Sequence, residues 1–160
     1  MRLSVVAVGR LKSGPERDLA ERYRERAEAL GRTGGFSPVD VVEIAESRAR
    51  RDADRRAEEA RAILDRAGSA PLAAFDERGR SLSSEAFAER LGRWRDGGTP
   101  ALTFAIGGPD GLDPSVRDRA DLVLSFGALT LPHQLVRVLV LEQLYRGLTI
   151  LAGHPYHRSG

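Results

Sequence analysis

Residues Leu124 to Tyr145 read LSFGALTLPHQLVRVLVLEQLY, and no other stretch limits the fold as tightly. From His133 to about Leu148 the apolar residues Leu135, Val136, Val138, Leu139, Val140, Leu141, Leu144, Tyr145 and Leu148 fall on almost every side of a helical wheel. Such a helix must be covered on several sides, and in a 160-residue chain one of those sides is a candidate subunit interface. In front of it, Leu122 to Leu124 is the short apolar run of a covered parallel strand, Gly127 and Ala128 allow close backbone approach, and Pro132 suits a first helical turn. A loop that leaves the carboxyl end of a strand and opens a helix is a ligand-binding position in α/β sheets. On composition alone the same loop serves equally well as an ordinary connection.

The rest of the chain repeats the strand-then-helix pattern. Leu3 to Val8 is β-branched and apolar, and Gly9, Ser13, Gly14 and Pro15 punctuate its end. Glu16 to Leu30 places Leu19, Tyr23, Ala27 and Leu30 on one face, with a stop expected in the cluster from Gly31 to Ser37. Val39 to Ile44 is a second strand, followed by a charged helix from Arg51 to Ala67 with a seam at Ala60, Ile63 and Leu64. Pro71 to Phe75 is a third strand, and Asp76 to Gly79 has the composition of a polar turn. Ser83 is placed to cap a helix from Ser84 to Asp96, in which Trp94 shares the core-facing side with Phe87 and Leu91. Ala101 to Ile106 is the fourth strand; Asp113 and Pro114 cap and start a short helix through Ala120, and Leu122 to Leu124 is the fifth strand. Strands alternating with helices specify an α/β domain, a parallel sheet with helices on both faces, and the length fits residues 1–160 as a single domain.

Composition removes several function classes. With no cysteine there is neither a disulfide nor a thiolate metal site, which suits a reducing cytoplasm. No apolar stretch reaches the length of a membrane span, and Met1 to Val8 lacks the succession of a signal peptide. A net charge of +2 is too small to specify a nucleic-acid partner. The region from Leu122 on nevertheless holds Arg137, Arg146 and Arg158 against the single acid Glu142, together with His133, His154 and His157.

Two constellations carry candidate chemistry. After Ile106 comes Gly107, Gly108, Pro109, Asp110, Gly111, where glycines bring backbone N–H groups close to a ligand or simply make a tight turn. It is neither a GxGxxG fingerprint nor a Walker A loop. Because Phe75, Ile106 and Leu124 each end a strand and precede loop chemistry, their carboxyl ends are expected to line one crevice. The second constellation is the tail Gly153, His154, Pro155, Tyr156, His157, Arg158, dense in donors and titratable groups. Zinc would need His154, His157 and distant carboxylates, so no metal is expected, and no GxSxG elbow supports a serine hydrolase. His133 is placed equally to be a capped helix-start residue or a metal ligand. Arg137 and Arg146 could serve an RNA backbone or a dimer interface.

IGGPDG, SFGALTLPHQLVRVLVLEQLYR and the terminal HPYHR, with LSVVAVGRLK at the N-terminus and the FDERG turn, resemble the RlmH (YbeA) family of SPOUT-class methyltransferases over essentially the whole chain. The resemblance implies a SPOUT fold with a C-terminal trefoil knot, which general topology rules would exclude. It implies a homodimer that uses S-adenosylmethionine to methylate N3 of a pseudouridine in helix 69 of 23S rRNA, on assembled ribosomes in the cytoplasm, with no membrane involved. By position it implies donor contacts from Phe75, Gly107, Gly108, Gly127, Ala128, Leu129, Thr130, Leu131 and Pro132, and catalytic roles for Tyr156, His157 and Arg158. Phe75 and Gly127 depart from the Leu and Ser common among relatives. A different SPOUT enzyme, or an RNA-binding module without activity, are the competing readings.

Overall fold

The computed structural model describes residues 1–158. Five strands alternate with five helices: β1 (Arg2–Val8), α1 (Pro15–Gly34), β2 (Val39–Ile44), α2 (Asp52–Ala67), β3 (Leu72–Arg80), α3 (Ser84–Asp96), β4 (Ala101–Ile106), α4 (Pro114–Arg119), β5 (Leu122–Leu124) and α5 (His133–Leu151). All strand pairs are parallel, in the order β2-β1-β4-β3-β5. The expected class and the order of elements hold.

Alternation along the inner strands separates two cores. Leu3, Val5, Ala7, Leu102, Phe104 and Ile106 face α1, α3 and α5, where they meet Ala20, Ala27, Phe87, Leu91, Leu141 and Leu144. Val6, Val8, Leu72, Ala74 and Ala105 face α2 and α4 and meet Ala60, Ile63, Ala67 and Val116. Both faces of β1 and β4 are dry, the arrangement that parallel sheets require. Trp94 packs at the margin of the larger core.

Caps form where side chains offer acceptors. Ser83 Oγ accepts the Ala86 N–H, and Asp113 accepts the Ser115 N–H ahead of Pro114. Helix α1 continues past Leu30 and ends inside the expected cluster, at Gly35 in the left-handed region. Gly31 lies within the helix, where a Cβ would sit 2.0 Å from the Phe36 carbonyl oxygen. Helix α5 likewise extends past Leu148 to Leu151.

The polar turn expected at Asp76 to Gly79 is instead part of β3. Phe75 pairs with Leu124, and after an irregularity Arg80 pairs with the same residue, its carbonyl accepting the Ser125 N–H at 2.9 Å. Composition at Asp76–Glu77–Arg78–Gly79 favours a turn. The β5 backbone holds both flanks of the segment, at Phe75 and Arg80, and the residues between them bulge where Asp76 accepts from the Arg78 N–H and from Arg117. Gly79 is the enabling residue, since a Cβ there would lie 2.5 Å from the Leu124 carbonyl carbon. Gly79→Ala therefore forces two backbones apart, and urea melts are expected to show a loss at the upper end of the about 1–3 kcal/mol typical of overpacking. An unchanged midpoint would mean that the crossing is looser than this geometry.

Candidate functional site

The carboxyl ends of β4, β3 and β5 are neighbours in the sheet, so the loops that leave them meet in one place. They enclose a cavity of about 450 Å³, within the size range of small-molecule and cofactor sites. Phe75, Gly107, Gly108, Gly127, Leu129, Thr130 and Leu131 all line it, as do Ile106 and Leu124. Ala128 and Pro132 belong to the same loop but do not face the cavity. His133, the first residue of α5, also lines it, and the α5 N-terminus carries no side-chain cap. Residues that sequence reasoning did not assign to this wall are Phe126, Arg56, Arg78 and Arg117. Phe126 stacks on Phe75 with ring centroids 5.1 Å apart, an aromatic pair visible only once β3 and β5 are adjacent.

The Gly-rich loop is held tightly. A Cβ on Gly107 would sit 2.8 Å from the Gly111 carbonyl carbon, and one on Gly108 would sit 2.8 Å from Val8 Cγ1 and 3.6 Å from Glu59 Oε2. Burial pushes the Glu59 carboxyl up, against the Ser47 N–H that it accepts. Asp110 is clamped by Arg55 through two bonds of 2.6 and 3.0 Å, which hold its carboxyl below the usual aspartate range. On the facing side, Gly127 has φ of +120° with open space where a Cβ would be. Ser125 Oγ donates to the Gly127 carbonyl at 2.9 Å and accepts its N–H at 3.1 Å. The cavity is thus walled by pre-set backbone on two sides and by apolar and charged side chains between.

The tail lies elsewhere in the protomer. It folds back along α5, where the Tyr156 hydroxyl donates to Glu142 Oε1 at 3.1 Å and its ring packs on Tyr145 and under the Arg146 guanidinium. Burial, with the neighbouring Tyr23 and Glu142, raises the Tyr156 phenol far above its ordinary value, so it remains a hydrogen-bond donor at neutral pH. His157 Nε2 is 2.7 Å from Glu85 Oε1 in the first turn of α3, and Arg158 is exposed. None of Tyr156, His157 and Arg158 reaches the cavity of its own chain. Arg146 is held by Glu142 in an i,i+4 pair.

Arg137 is 2% exposed, which removes it as an RNA-facing residue. Its guanidinium donates to Glu43 Oε2 at 2.8 Å and to the Gly9 carbonyl at 2.7 Å, while Glu43 also accepts the Leu11 N–H at 2.7 Å. An α5 residue one turn past the cavity loop is thereby tied to the carboxyl ends of β1 and β2. Burial raises the Glu43 carboxyl, but the Arg137 and Leu11 donors outweigh it and the net shift is downward. A carboxyl whose folded value is depressed contributes its stability above the ordinary glutamate range and loses it as pH falls through the folded value. Glu43→Gln is expected to cost about 1 kcal/mol at neutral pH, discounted for the exposure of Glu43. Denaturant titrations across pH should show the gap from the parent narrowing on acidification, and a constant gap would refute the ion pair.

Comparison with known proteins agrees with this arrangement. A family model described as "Predicted SPOUT methyltransferase" matches residues 1–157. A protein of Methylobacterium nodulans named "Ribosomal RNA large subunit methyltransferase H" is 67% identical, with 99% of each chain covered. One of the same name from Rhodopseudomonas palustris BisB5 is 62% identical over 99% of this chain and 100% of its own. Among solved structures, a "Probable Methyltransferase" from Bordetella pertussis Tohama I superposes with a TM-score of 0.52 at 13% identity, covering 91% of this chain and 95% of that one. A "probable methylase family protein" from Haemophilus influenzae Rd KW20 does so with 0.52 at 12%, covering 99% and 70%. At such identities the structures speak for the fold, and it is the full-length sequence match that shows the chain to belong to the SPOUT methyltransferase family.

Proposed function

We propose that this methyltransferase binds S-adenosylmethionine in the cavity at the ends of β3, β4 and β5 and transfers its methyl group to N3 of a pseudouridine in helix 69 of 23S rRNA, acting as a homodimer on assembled ribosomes in the cytoplasm. The observation that carries the reading is the cavity itself: three adjacent strand ends, two pre-set backbone loops and a volume suited to a nucleoside-sized ligand. The names of the relatives at 62 to 67% identity supply the substrate class. The residues present fit such a donor. Phe75, Ile106, Leu124 and Leu131 offer apolar walls, and the Gly107–Gly108 and Gly127–Leu131 segments bring main chain to the cavity surface. When bound, S-adenosylmethionine supplies an activated methyl group, so no metal is required. Among the described residues no group of three or more His, Asp and Glu is placed to hold one.

The reaction breaks the carbon–sulfur bond as N3 bonds to the methyl carbon, and the N3 proton must leave. The protein contributes by aligning the two reactants, excluding water and stabilising the deprotonated base. Arg158, exposed, is the candidate for the last role; His157 is the candidate proton carrier, and Tyr156, fixed as a donor, orders the tail. Because the tail misses the cavity of its own chain, the reading places it at the cavity of a second copy. Phe126 and Leu129, 38% and 82% exposed at the cavity, and Leu135 on the first turn of α5, are apolar surface that a second copy would cover. The trefoil knot belongs to the same reading, supported by the Arg80–Leu124 crossing and by the return of the chain from edge strand β5 to α5, which packs on α1.

Three outcomes are expected. Calorimetry should show one S-adenosylmethionine bound per chain, weakened at least about tenfold by Gly107→Ala, a loss of roughly 1.4 kcal/mol. Arg158→Ala should lower kcat on the order of 10²-fold without weakening donor binding. Mass spectrometry of helix 69 from a deletion strain should show the N3-methyl mark gone and restored by a plasmid copy; a mark that persists in the deletion strain overturns the reading.

A further inference from the structure

Two loops beside the cavity share an unusual construction. Gly9 to Gly14 leaves β1 and Ala45 to Arg51 leaves β2, so both emerge at the cavity edge of the sheet, β1 being next to β4 and β2 beyond it. In the first, Leu11 is buried and its N–H is fixed by Glu43, while Arg10 and Lys12 on either side are exposed. In the second, Ser47 donates its N–H to Glu59 and its hydroxyl to Glu58, Ala49 donates to Ser47 Oγ, and Arg55 caps the Ala49 and Arg50 carbonyls at 3.1 and 3.0 Å. That leaves Arg48 and Arg50 exposed at alternate positions. Arg55 is the same residue that clamps Asp110 of the Gly-rich loop, so the second loop is braced to the cavity wall.

Each loop therefore pins its own backbone and projects two cations at i and i+2. Among the described residues none of the four lies within 4.0 Å of a carboxylate. The acids nearby are largely committed: Glu43 to Arg137 and Leu11, Glu58 and Glu59 to Ser47, with Glu46 the remaining exposed one. Elsewhere on the surface most short-range cation pairs are i,i+3 or i,i+4 contacts along helices, as in Arg24–Glu21, Arg32–Glu28 and Arg93–Glu89. Unpaired cations held on rigid backbone keep their full charge for a polyanion and lose little backbone order on binding.

We propose that Arg10, Lys12, Arg48 and Arg50 form a docking strip for the RNA sugar-phosphate backbone that flanks the methylated nucleotide, holding the strand over β2 and β1 while the target base enters at β4 and β3. The strip positions the RNA and does not read its sequence. This rests on the RNA methyltransferase reading above.

The test uses the full chain, ribosomes from a deletion strain and radiolabelled S-adenosylmethionine, with kcat/KM for ribosomes followed against salt. Replacing all four residues by Gln should raise KM for ribosomes with kcat retained. It should also flatten the plot of log(kcat/KM) against log salt by about 0.7 per lost contact, close to 3 in all. Calorimetric binding of S-adenosylmethionine should be unchanged, which also reports that the variant is folded. Arg66→Gln with Arg90→Gln, exposed cations distant in sequence from both loops, should leave the slope as it was. A four-residue variant with the parent's slope and KM overturns the strip while leaving the enzyme reading intact, and an equal effect from Arg66 and Arg90 reduces it to net charge. A parent that transfers no methyl group to these ribosomes defeats both readings together. Since the chain has no cysteine, Arg50→Cys can carry a single photocrosslinker. Crosslinks to 23S rRNA are expected, and crosslinks confined to ribosomal protein overturn the RNA assignment.

Discussion

The desolvation of β1 and β4 on both faces is the constraint from which the rest of this architecture follows. Leu3, Val5, Ala7, Leu102, Phe104 and Ala105 are wholly inaccessible, so every backbone N–H and C=O between these strands must find its partner within the sheet. Parallel pairing does that only if each return passes over a face, which places α1, α3 and α5 on one side and α2 and α4 on the other. All strands then end at the same edge, and that edge is where polar loops and ligand-sized space can coexist. The cavity is a consequence of how the sheet is covered.

At that edge, rigidity comes from a small number of long-range polar ties. Arg137 joins α5 to the ends of β1 and β2, Arg55 joins α2 to the Gly-rich loop, and Arg117 joins α4 to the bulge in β3 through Asp76 and the Leu112 carbonyl. Each is an arginine, whose planar fork spreads its donors over three nitrogens and so spans acceptors farther apart than a single lysine nitrogen can reach. The near-total preference for arginine in this chain, 24 residues against Lys12, thus has structural uses besides any role toward RNA. It also divides the arginines sharply into those consumed by the fold and those, such as Arg48 and Arg50, left facing outward.

The separation between cavity and tail bears on how a chain this short builds a site. Gly127, Leu129, Thr130 and Leu131 face the cavity just before α5, whereas Tyr156 and His157 are anchored farther along, to Glu142 and to Glu85 of α3. Arg158 follows these two anchored residues and is exposed. The proposed homodimer would cover Phe126, Leu129 and Leu135, which are exposed in the protomer.

Period and punctuation in the sequence determined the five strands, the five helices, the Ser83 and Asp113 caps and the convergence of Phe75, Ile106 and Leu124, because these depend on local burial and on residues close in the chain. Motif resemblance singled out Phe75, Gly107, Gly108 and the loop from Gly127 to Pro132, most of which line one cavity. Tertiary structure alone decided the rest. Asp76 to Gly79 reads as a turn yet lies within a strand, since the β5 backbone holds both of its flanks, Phe75 and Arg80. Arg137 reads as a surface cation yet is buried, since its partners Gly9 and Glu43 lie 128 and 94 residues away. The Phe75–Phe126 stack and the two braced cationic loops likewise exist only through strand order. Local sequence can state what a residue tolerates; which distant backbone or carboxylate it meets is settled only by how the sheet closes.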